Sequence, residues 1–319
     1  MCGAGQAMKL PRSNGGDVER PVVGLSVSMH PIGDAHPVDE AIEAERLGFD
    51  FVSVADHPFG GSPTNEPLVT LASIGASTRQ IGLVTRVLGA PFRHPALVAK
   101  MAETINRLAN GRLVLGIGGG GADGKMRSVG IPPPSARGKI DALAEATAII
   151  KGMWRDGKFT FSGRYHDVAD AEISPRPASR IPVWLGVLGV RGAEVAGSMA
   201  DGWIPYLRYT SVERLTECRS RLFAAADGAG RDPSTITCVL SLEAHVGPLA
   251  EAPANAITGP PEAVADQLAK LQDLGFDGFN VSVLGPDRAE QPARFAEEVF
   301  PLLGKALPPA GATASGGAR

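Results

Sequence analysis

The chain has 319 residues, of which 44% are hydrophobic and 20% are charged, and its formal net charge is −3. A chain of this length can bury one large core, and single barrel domains commonly reach it. The near-neutral charge gives no electrostatic reason to expect a nucleic acid or an anionic membrane as a partner.

Apolar runs and the two ends of the chain bear on location and domain organisation. No apolar run approaches the roughly 20 residues that a membrane helix needs, and residues 1–20 lack the apolar stretch of a signal peptide. We therefore expect a cytoplasmic protein. Residues 1–20 and 305–319 are poor in core-forming side chains, so we expect two flexible tails around a barrel domain at 21–304.

The three cysteines, Cys2, Cys218 and Cys238, are scattered along the chain and have no metal-binding spacing. In a reducing cytoplasm such residues are expected to be free thiols. We therefore predict neither a disulfide framework nor a metal site.

Short apolar or β-branched segments alternate with longer helical patterns along the whole chain. The predicted strands, in chain order, are 22–28, 51–54, 81–85, 112–117, 182–185, 201–204, 235–246 and 278–283. The helices predicted to follow them are 37–47, 67–78, 95–108, 137–154, 191–198, 211–226, 260–274 and 289–303. An insertion at 158–168 is typical of a β-hairpin, with its turn at 162–164.

Strands that each precede a helix, without a second zone of composition, predict an α/β fold: a single (β/α)8 TIM barrel with short insertions at its C-terminal face. A doubly wound open sheet is the alternative. It would normally carry a glycine-rich dinucleotide turn after its first strand, and the segment VVGLSVSMHP has none. In a barrel, the functional residues lie where the strands end.

Strand two ends in Asp56 and His57, two polar residues that directly follow a buried apolar strand. A histidine at a barrel mouth can donate a hydrogen bond or exchange a proton near neutral pH. Strand three ends in Thr85 and Arg86, which offer a hydroxyl and a charge. The segment 93–95 that follows (Arg-His-Pro) suits a helix cap as well as a ligand contact.

Glycines follow strands four and five. The first group contains Gly118, Gly119 and Gly120, and the second is the segment Gly186, Val187, Leu188 and Gly189. Glycines let a ligand approach the backbone, and amides at a helix N-terminus suit a phosphate. The first group is equally compatible with a flexible lid.

The sequence contains no HExxH motif, paired CxxC, P-loop or GxSxG elbow. It therefore gives no support to a metalloprotease, a zinc ribbon, a kinase-like enzyme or a serine hydrolase. Carboxylates at strand ends are few, which weakens the case for a glycosidase.

Several segments in order resemble the luciferase-like monooxygenase superfamily, which includes bacterial luciferases and F420-dependent oxidoreductases. They are AIEAERLGFDFVSVADHP, IGLVTRVLGAPFRHPALVAKMAETINRLANGRLVLGIGGG, IIKGMWRDGKFTFSGRYHDV, PVWLGVLGVRGAEVAGSMADGW and LGFDGFNVSV. The resemblance spans about residues 21–303. It implies a (β/α)8 barrel that binds reduced FMN or the deazaflavin coenzyme F420 at its C-terminal mouth.

The resemblance also implies roles for individual residues. Asp56 and His57 match a polar pair near the reacting ring, and the Arg86–Val87 bond matches a non-proline cis peptide that bulges against it. The coenzyme phosphate is expected near Gly118–Gly120 and Gly186–Gly189. We accordingly predict His57 as a hydrogen-bond donor or proton relay and Asp56 as the residue that sets its tautomer or position. Thr85 and the Arg86–Val87 bond are predicted to support the ring.

Two departures from the family pattern bear on the choice of coenzyme. Bacterial luciferases carry an arginine near the position of Gly119, and the deazaflavin-dependent sugar-phosphate dehydrogenases carry a glutamate near Gly121. Neither is present here, so the sugar dehydrogenase mechanism does not transfer. The glycine-rich loop and single-chain barrel are closer to the deazaflavin branch, and F420 is therefore the predicted coenzyme, with FMN as the alternative.

The sequence thus predicts an F420-dependent oxidoreductase that moves hydride between the deazaflavin C5 and a small organic substrate. The alternatives are an FMN-dependent monooxygenase, which uses reduced flavin and oxygen, and a non-catalytic barrel that stores or senses flavin. A homodimer is expected, and a flavin or F420 reductase as supplier of reduced coenzyme. Loops 59–66, 122–135 and 241–258 are expected to line the substrate pocket, and their composition hints at an apolar or uncharged substrate.

Overall fold

The computed structural model describes residues 20–30, 36–59 and 63–304. The predicted tails at 1–20 and 305–319 lie outside the described residues, apart from Arg20. Among the described residues the strands are β1 (Val22–Ser26), β2 (Phe51–Val54), β3 (Gly82–Thr85), β4 (Leu88–Gly89), β5 (Leu113–Gly118), β6 (Lys158–Ser162), β7 (Asp167–Glu172), β8 (Val183–Leu185), β9 (Gly202–Trp203), β10 (Thr237–Val246), β11 (Ile257–Gly259) and β12 (Gly278–Val283).

The α-helices of the described residues are α1 (Pro37–Arg46), α2 (Pro67–Ser77), α3 (Pro95–Leu108), α4 (Asp123–Ser128), α5 (Ala136–Arg155), α6 (Val190–Met199), α7 (Val212–Gly228), α8 (Pro261–Asp273) and α9 (Gln291–Arg294). Short 3-10 turns lie at Ala90–Phe92, Leu207–Tyr209 and Pro233–Thr235. Proline stands in the first turn of α1, α2, α3 and α8, where its missing N–H leaves no helical bond unmade.

Eight parallel strands close into a barrel in the order β1, β2, β3, β5, β8, β9, β10 and β12, and β12 pairs with β1 again. The predicted (β/α)8 barrel is therefore confirmed. The sequence missed β4 and β11, which pair with the carboxyl ends of β5 and β10 and so extend the barrel wall at its mouth.

The lower part of the barrel interior is apolar. It is filled by Val22, Phe51, Val84, Val114, Trp184, Ile204 and Val239. Phe51 and Trp184 meet edge to face with ring centroids 6.2 Å apart, a favoured aromatic geometry. A side-chain carbon at Gly24 would lie 2.1 Å from the Phe51 ring, so only glycine fits there. Burial of these side chains leaves the functional surface to the open end of the barrel.

The insertion after α5 is an antiparallel hairpin, as predicted, but it is longer than the predicted 158–168. Its strands β6 and β7 reach Glu172, and the turn is closed by a hydrogen bond from Gly163 N to His166 O of 3.0 Å. The Glu145 carboxylate of α5 accepts hydrogen bonds from the backbone N–H groups of residues 164–166. This long-range contact fixes the turn and is invisible in the local pattern.

Two helical predictions need correction. The predicted helix at 289–303 is not regular, because α9 passes into a π-turn (Phe295–Val299) and a 3-10 turn (Phe300–Leu303). Pro301 has no N–H to donate, which disrupts a regular helix at this point. The short helix α4 was missed, since Met126 is its only buried side chain and gives no helical period. The α4 helix is tied to α5 by an ion pair between Asp123 and Lys139.

Candidate active site

A cavity of about 860 Å³ opens at the carboxyl ends of the barrel strands. Its volume is in the range typical of small-molecule and cofactor pockets. The residues predicted for the site that line this cavity are Asp56, His57, Arg86, Val87, Gly118, Gly119, Gly120, Gly186 and Leu188. The fold therefore brings together most of the residues that follow strands two to five in the sequence.

Three residues predicted to bind the coenzyme lie behind the cavity wall instead. Thr85 is fully buried, and its hydroxyl donates to Gly116 O at 2.7 Å and accepts from Gly116 N at 2.8 Å. The Val187 carbonyl accepts a hydrogen bond from the Trp203 indole. Gly189 has a φ of +92° and begins α6. These residues hold strands and a helix in place.

His57 is exposed at the mouth of the cavity. The surrounding protein removes part of the water around His57, which lowers its pKa. The positive charge of Lys125 lowers this pKa further, and the negative charge of Asp56 opposes the shift. Because the ordinary pKa of histidine is about 6.5, the His57 ring is neutral near pH 7. A neutral imidazole has one N–H donor and one free nitrogen acceptor, so it can hold or move a proton at a ligand oxygen.

Asp56 is buried, and the hydrogen bonds shown for its carboxylate come from groups other than His57. Arg93 donates to it at 2.7 and 3.2 Å, and Gly89 N donates to it at 2.8 Å. Arg93 also donates to Glu66 at 2.6 Å. These bonds hold the segment after β3, and the charge of Asp56 acts on the pKa of His57. The role of Asp56 in setting the tautomer or position of His57 stays a prediction.

The segment 93–95 acts as a helix start. The His94 Nδ1 atom accepts from Ala96 N at 3.3 Å at the beginning of α3, and Arg93 is committed to its two carboxylates. Of the two interpretations left open by the sequence, the structure shows the helix cap.

The peptide bond between Arg86 and Val87 is cis, as the family resemblance implied. The Val87 side chain packs against two glycines that line the cavity. A side-chain carbon at Gly186 would lie 2.5 Å from Val87 Cγ1, and one at Gly118 would lie 2.6 Å from Val87 Cγ2. Both glycines are thus required by the packing of Val87, a reason that differs from the phosphate contact predicted for them. We call Val87, Gly118 and Gly186 the glycine wall.

The glycines after β5 leave the cavity open. Gly120 has a φ of +78°, a conformation that side chains other than glycine rarely adopt. No protein atom lies within 4 Å of a side-chain carbon built at Gly121. Because these glycines have no side chains, a ligand can approach their backbone closely.

A polar wall lines another part of the cavity. It consists of Arg86, Tyr206, Arg208, Ser241 and Glu243. Arg86 and the range 241–258 were predicted to line the pocket, whereas Tyr206 and Arg208 were missed. Arg86 stacks over the Tyr206 ring at 5.3 Å and donates to Ser26 Oγ at 3.0 Å. Arg208 forms an ion pair with Glu243. The cavity wall thus carries charged groups, and the apolar or uncharged substrate inferred from the loop composition stays a prediction.

Burial lowers the pKa of Arg86 and raises the pKa of Tyr206. The Tyr206 and Glu243 side chains partly oppose the shift at Arg86, because both favour its charged form. Arg86 opposes the shift at Tyr206, whereas Glu243 adds to it. Tyr206 is therefore a protonated phenol set between a cation and an anion.

Beneath the polar wall the barrel interior holds further polar atoms. Among the described residues, Ser53 Oγ, Arg86 Nε, Asn280 Oδ1 and Ser282 Oγ are buried and have no hydrogen-bond partner. In the strand register, Ser241 pairs with Asn280 and Glu243 with Ser282. The one available sequence signal was the alternation of Ser241 and Glu243 with apolar neighbours in β10, which places both on one face of the strand.

Within the part of the chain that the structure describes, no three His, Cys, Asp or Glu side chains are grouped as a metal site. The described residues Cys218 and Cys238 are free thiols, and burial raises the pKa of Cys238 to about 12. None of the described helices combines the length and the apolar character needed to cross a membrane.

Comparison with protein families and curated proteins places these features in context. The model of the family described as luciferase-like monooxygenase matches residues 29–256. An F420-dependent glucose-6-phosphate dehydrogenase of Microbacterium testaceum is 34% identical over 187 residues, which cover 57% of this chain and 55% of that protein. The chain thus spans about half the length of this relative. The enzyme of the same name from Kribbella flavida is 25% identical over 89% of this chain and 98% of its own length.

Solved structures share the fold. An F420-dependent secondary alcohol dehydrogenase in complex with an F420-acetone adduct superimposes with a TM-score of 0.80 at 20% identity. The match covers 89% of this chain and 99% of the dehydrogenase chain. At this level of identity the likeness shows the barrel architecture.

Proposed function

The chain belongs to the luciferase-like monooxygenase family, and we propose that it is an F420-dependent oxidoreductase that moves hydride between the deazaflavin C5 and a small organic substrate. The observation that carries this proposal is the similarity to enzymes named F420-dependent, joined to a cavity in which the matching residues meet. The Microbacterium testaceum relative matches over only 55% of its length, so the coenzyme and the substrate are both proposed.

The residues that line the cavity fit the flat ring of the proposed coenzyme. The glycine wall offers an apolar surface on which Val87 is the projecting side chain, and side-chain carbons at Gly118 or Gly186 would collide with it. The open backbone at Gly121 lines the same cavity. When bound, the deazaflavin would supply the hydride chemistry, and the protein would supply orientation and electrostatics.

His57 is proposed to donate a hydrogen bond to the substrate oxygen. A neutral ring at the cavity mouth can make this bond without adding a charge that the substrate must balance. Holding the donor and acceptor carbons about 3–3.5 Å apart removes much of the entropic barrier to their reaction. His57→Ala should therefore lower turnover and leave coenzyme affinity nearly unchanged.

The substrate is proposed to differ from that of the named relatives. Family enzymes that oxidise sugar phosphates carry a glutamate near Gly121, and here that position presents bare backbone to the cavity. We therefore expect no oxidation of glucose 6-phosphate by this protein with F420.

The coenzyme is tested by titrating the purified protein with F420 and, separately, with FMN in oxidised and reduced forms. Micromolar F420 binding with much weaker FMN binding is the expected result. Preference for reduced FMN, with oxygen consumption coupled to product formation, would replace the proposal with the monooxygenase alternative. Tight coenzyme binding without turnover over a substrate panel would favour a storage or sensing barrel.

A homodimer and a partner reductase are also proposed. The exposed side chains of Val69, Leu97 and Leu108 lie on the packed helices α2 and α3 and give this flank an apolar character. Sedimentation of the purified protein tests the dimer. The cytoplasmic location stays a prediction from the sequence.

A further inference from the structure

The polar wall contains a tyrosine, Tyr206, that takes no part in the role proposed for His57. Tyr206 follows β9 and is fixed beside β10 by backbone pairing with Ser241, whose N–H donates to Pro205 O at 2.8 Å. Glu243 lies two residues further along the same strand, on the same face. Both side chains line the cavity.

The Tyr206 phenol has a cation and a carboxylate as neighbours. The Arg86 guanidinium lies over its ring, 5.3 Å from the centroid, and Glu243 lines the same cavity on the strand beside Tyr206. A phenol has one donor and two acceptor positions. An O–H donated to the Glu243 carboxylate would leave an acceptor position of the Tyr206 oxygen for the substrate.

Glu243 is placed to pass a proton onward. Its side chain is 11% exposed and its ion-pair partner Arg208 is 43% exposed, so the pair stands between the cavity and the solvent. Glu243 therefore lies between the cavity, which Tyr206 also lines, and the outer rim of the barrel.

We propose that Tyr206 and Glu243 form a proton relay that accepts the hydroxyl proton of the substrate during hydride transfer. The substrate O–H bond breaks and its proton joins the Tyr206 oxygen, while the Tyr206 proton moves to the Glu243 carboxylate. The carbon–hydrogen bond of the substrate breaks with its electron pair, and that hydride goes to the coenzyme. The substrate carbon–oxygen bond becomes a carbonyl, and Glu243 returns its proton to water.

The relay rests on the proposed function, and it gives Tyr206, Glu243 and His57 separate roles at the substrate oxygen. Tyr206 and Glu243 take the proton, and the His57 N–H steadies the oxygen as negative charge grows on it. The positive charge of Arg86, which lies over the Tyr206 ring, offsets the charge that passes through the phenol. In the reverse direction, carbonyl reduction, the same groups return the proton.

Steady-state kinetics with F420 and a panel of small secondary alcohols gives the first test. Tyr206→Phe and Glu243→Gln should each lower kcat by about 10²-fold or more, the usual share of acid–base catalysis. The F420 dissociation constant should change less than about twofold, because neither side chain belongs to the glycine wall. Tyr165→Phe, in the hairpin turn away from the cavity, is the matched control and should retain wild-type turnover. Turnover of Tyr206→Phe within threefold of wild type would overturn the relay.

A second measurement needs no coenzyme and separates failure of the relay from failure of the proposed function. Subtracting the alkaline ultraviolet titration of Tyr206→Phe from that of the wild type isolates the ionisation of Tyr206. Its midpoint should lie above the ordinary tyrosine value of about 10 and should fall in Glu243→Gln. An unchanged midpoint in Glu243→Gln would overturn the coupling even if F420 binds. Normal coupling in a protein that binds no F420 would instead overturn the proposed function.

Discussion

The contact between Val87 and Gly186 permits a quantitative test of the glycine wall. A methyl group at Gly186 would lie 2.5 Å from Val87 Cγ1 and 3.0 Å from Cγ2. Carbon atoms rest about 3.5–4.0 Å apart at their optimal contact, so the two groups must separate by about 1 Å. Overpacking of this kind costs about 1–3 kcal/mol. We expect Gly186→Ala to lower the free energy of unfolding by that amount.

The double mutant shows whether Val87 is the cause. Val87→Ala removes both methyl groups that would clash, and alone it should cost up to about 1.6 kcal/mol at ~0.8 kcal/mol per buried group. Combined with Gly186→Ala it should relieve the collision, so the pair should be more stable than the sum of the single changes by about 1 kcal/mol or more. Urea denaturation followed by tryptophan fluorescence and circular dichroism provides the measurement, with an unchanged m value as a check.

A matched control comes from Gly124, where a side-chain carbon would meet no atom within 4 Å. Because Gly124 lies in α4, alanine should be neutral there or stabilise the helix by up to about 1 kcal/mol. A neutral Gly186→Ala variant, or a double mutant that is additive within about 0.5 kcal/mol, would refute the packing argument. The phosphate contact predicted from the sequence would then regain its place as the reason for this glycine.

Three further outcomes are expected. Gly121→Trp should abolish F420 binding in a fluorescence titration, because its side chain would fill the open cavity, whereas Gly124→Trp should bind normally. The pKa of His57 in the folded protein, measured by NMR, should lie below the ordinary value of about 6.5. The unfolded chain therefore takes up its proton first as the pH falls, so the free energy of unfolding should decrease below about pH 6.5. His57→Gln should remove this decrease. Asp56→Ala should cost about 3 kcal/mol or more in urea denaturation, since it leaves the largely buried Arg93 without its principal anion.

The barrel could be predicted from the sequence because its strands and helices differ sharply in pattern. Buried apolar runs such as 51–54 are bounded by polar or glycine residues, and helices such as α3 begin with proline. What failed was governed by contacts distant in sequence. The helix α4 is tied to α5 by an ion pair with Lys139 and has a single buried side chain, so it has no local signature.

The site was predicted in part for a related reason. Residues that directly follow a strand, such as His57 and Arg86, could be identified because the fold places strand ends at one mouth. Glu243 lies inside a strand, and whether it points inward depends on register, which the local pattern does not specify. The glycines were identified by position, but their packing against Val87 could not be predicted, since that contact exists only after strands β3, β5 and β8 are brought together.

The buried polar atoms inside the barrel are confined to particular strands, which bears on where a coenzyme and a substrate would bind. A buried polar atom without a partner costs about 1–3 kcal/mol, and the described interior holds several of them, on β2, on β12 and on Arg86, which follows β3. None of these described atoms lies on β5 or β8, whose carboxyl ends lead to the glycines packed against Val87. Under the proposed function, the coenzyme ring would lie against Val87 and the polar groups of the substrate would bind near Tyr206. The reacting carbon of the substrate would then lie between these two residues.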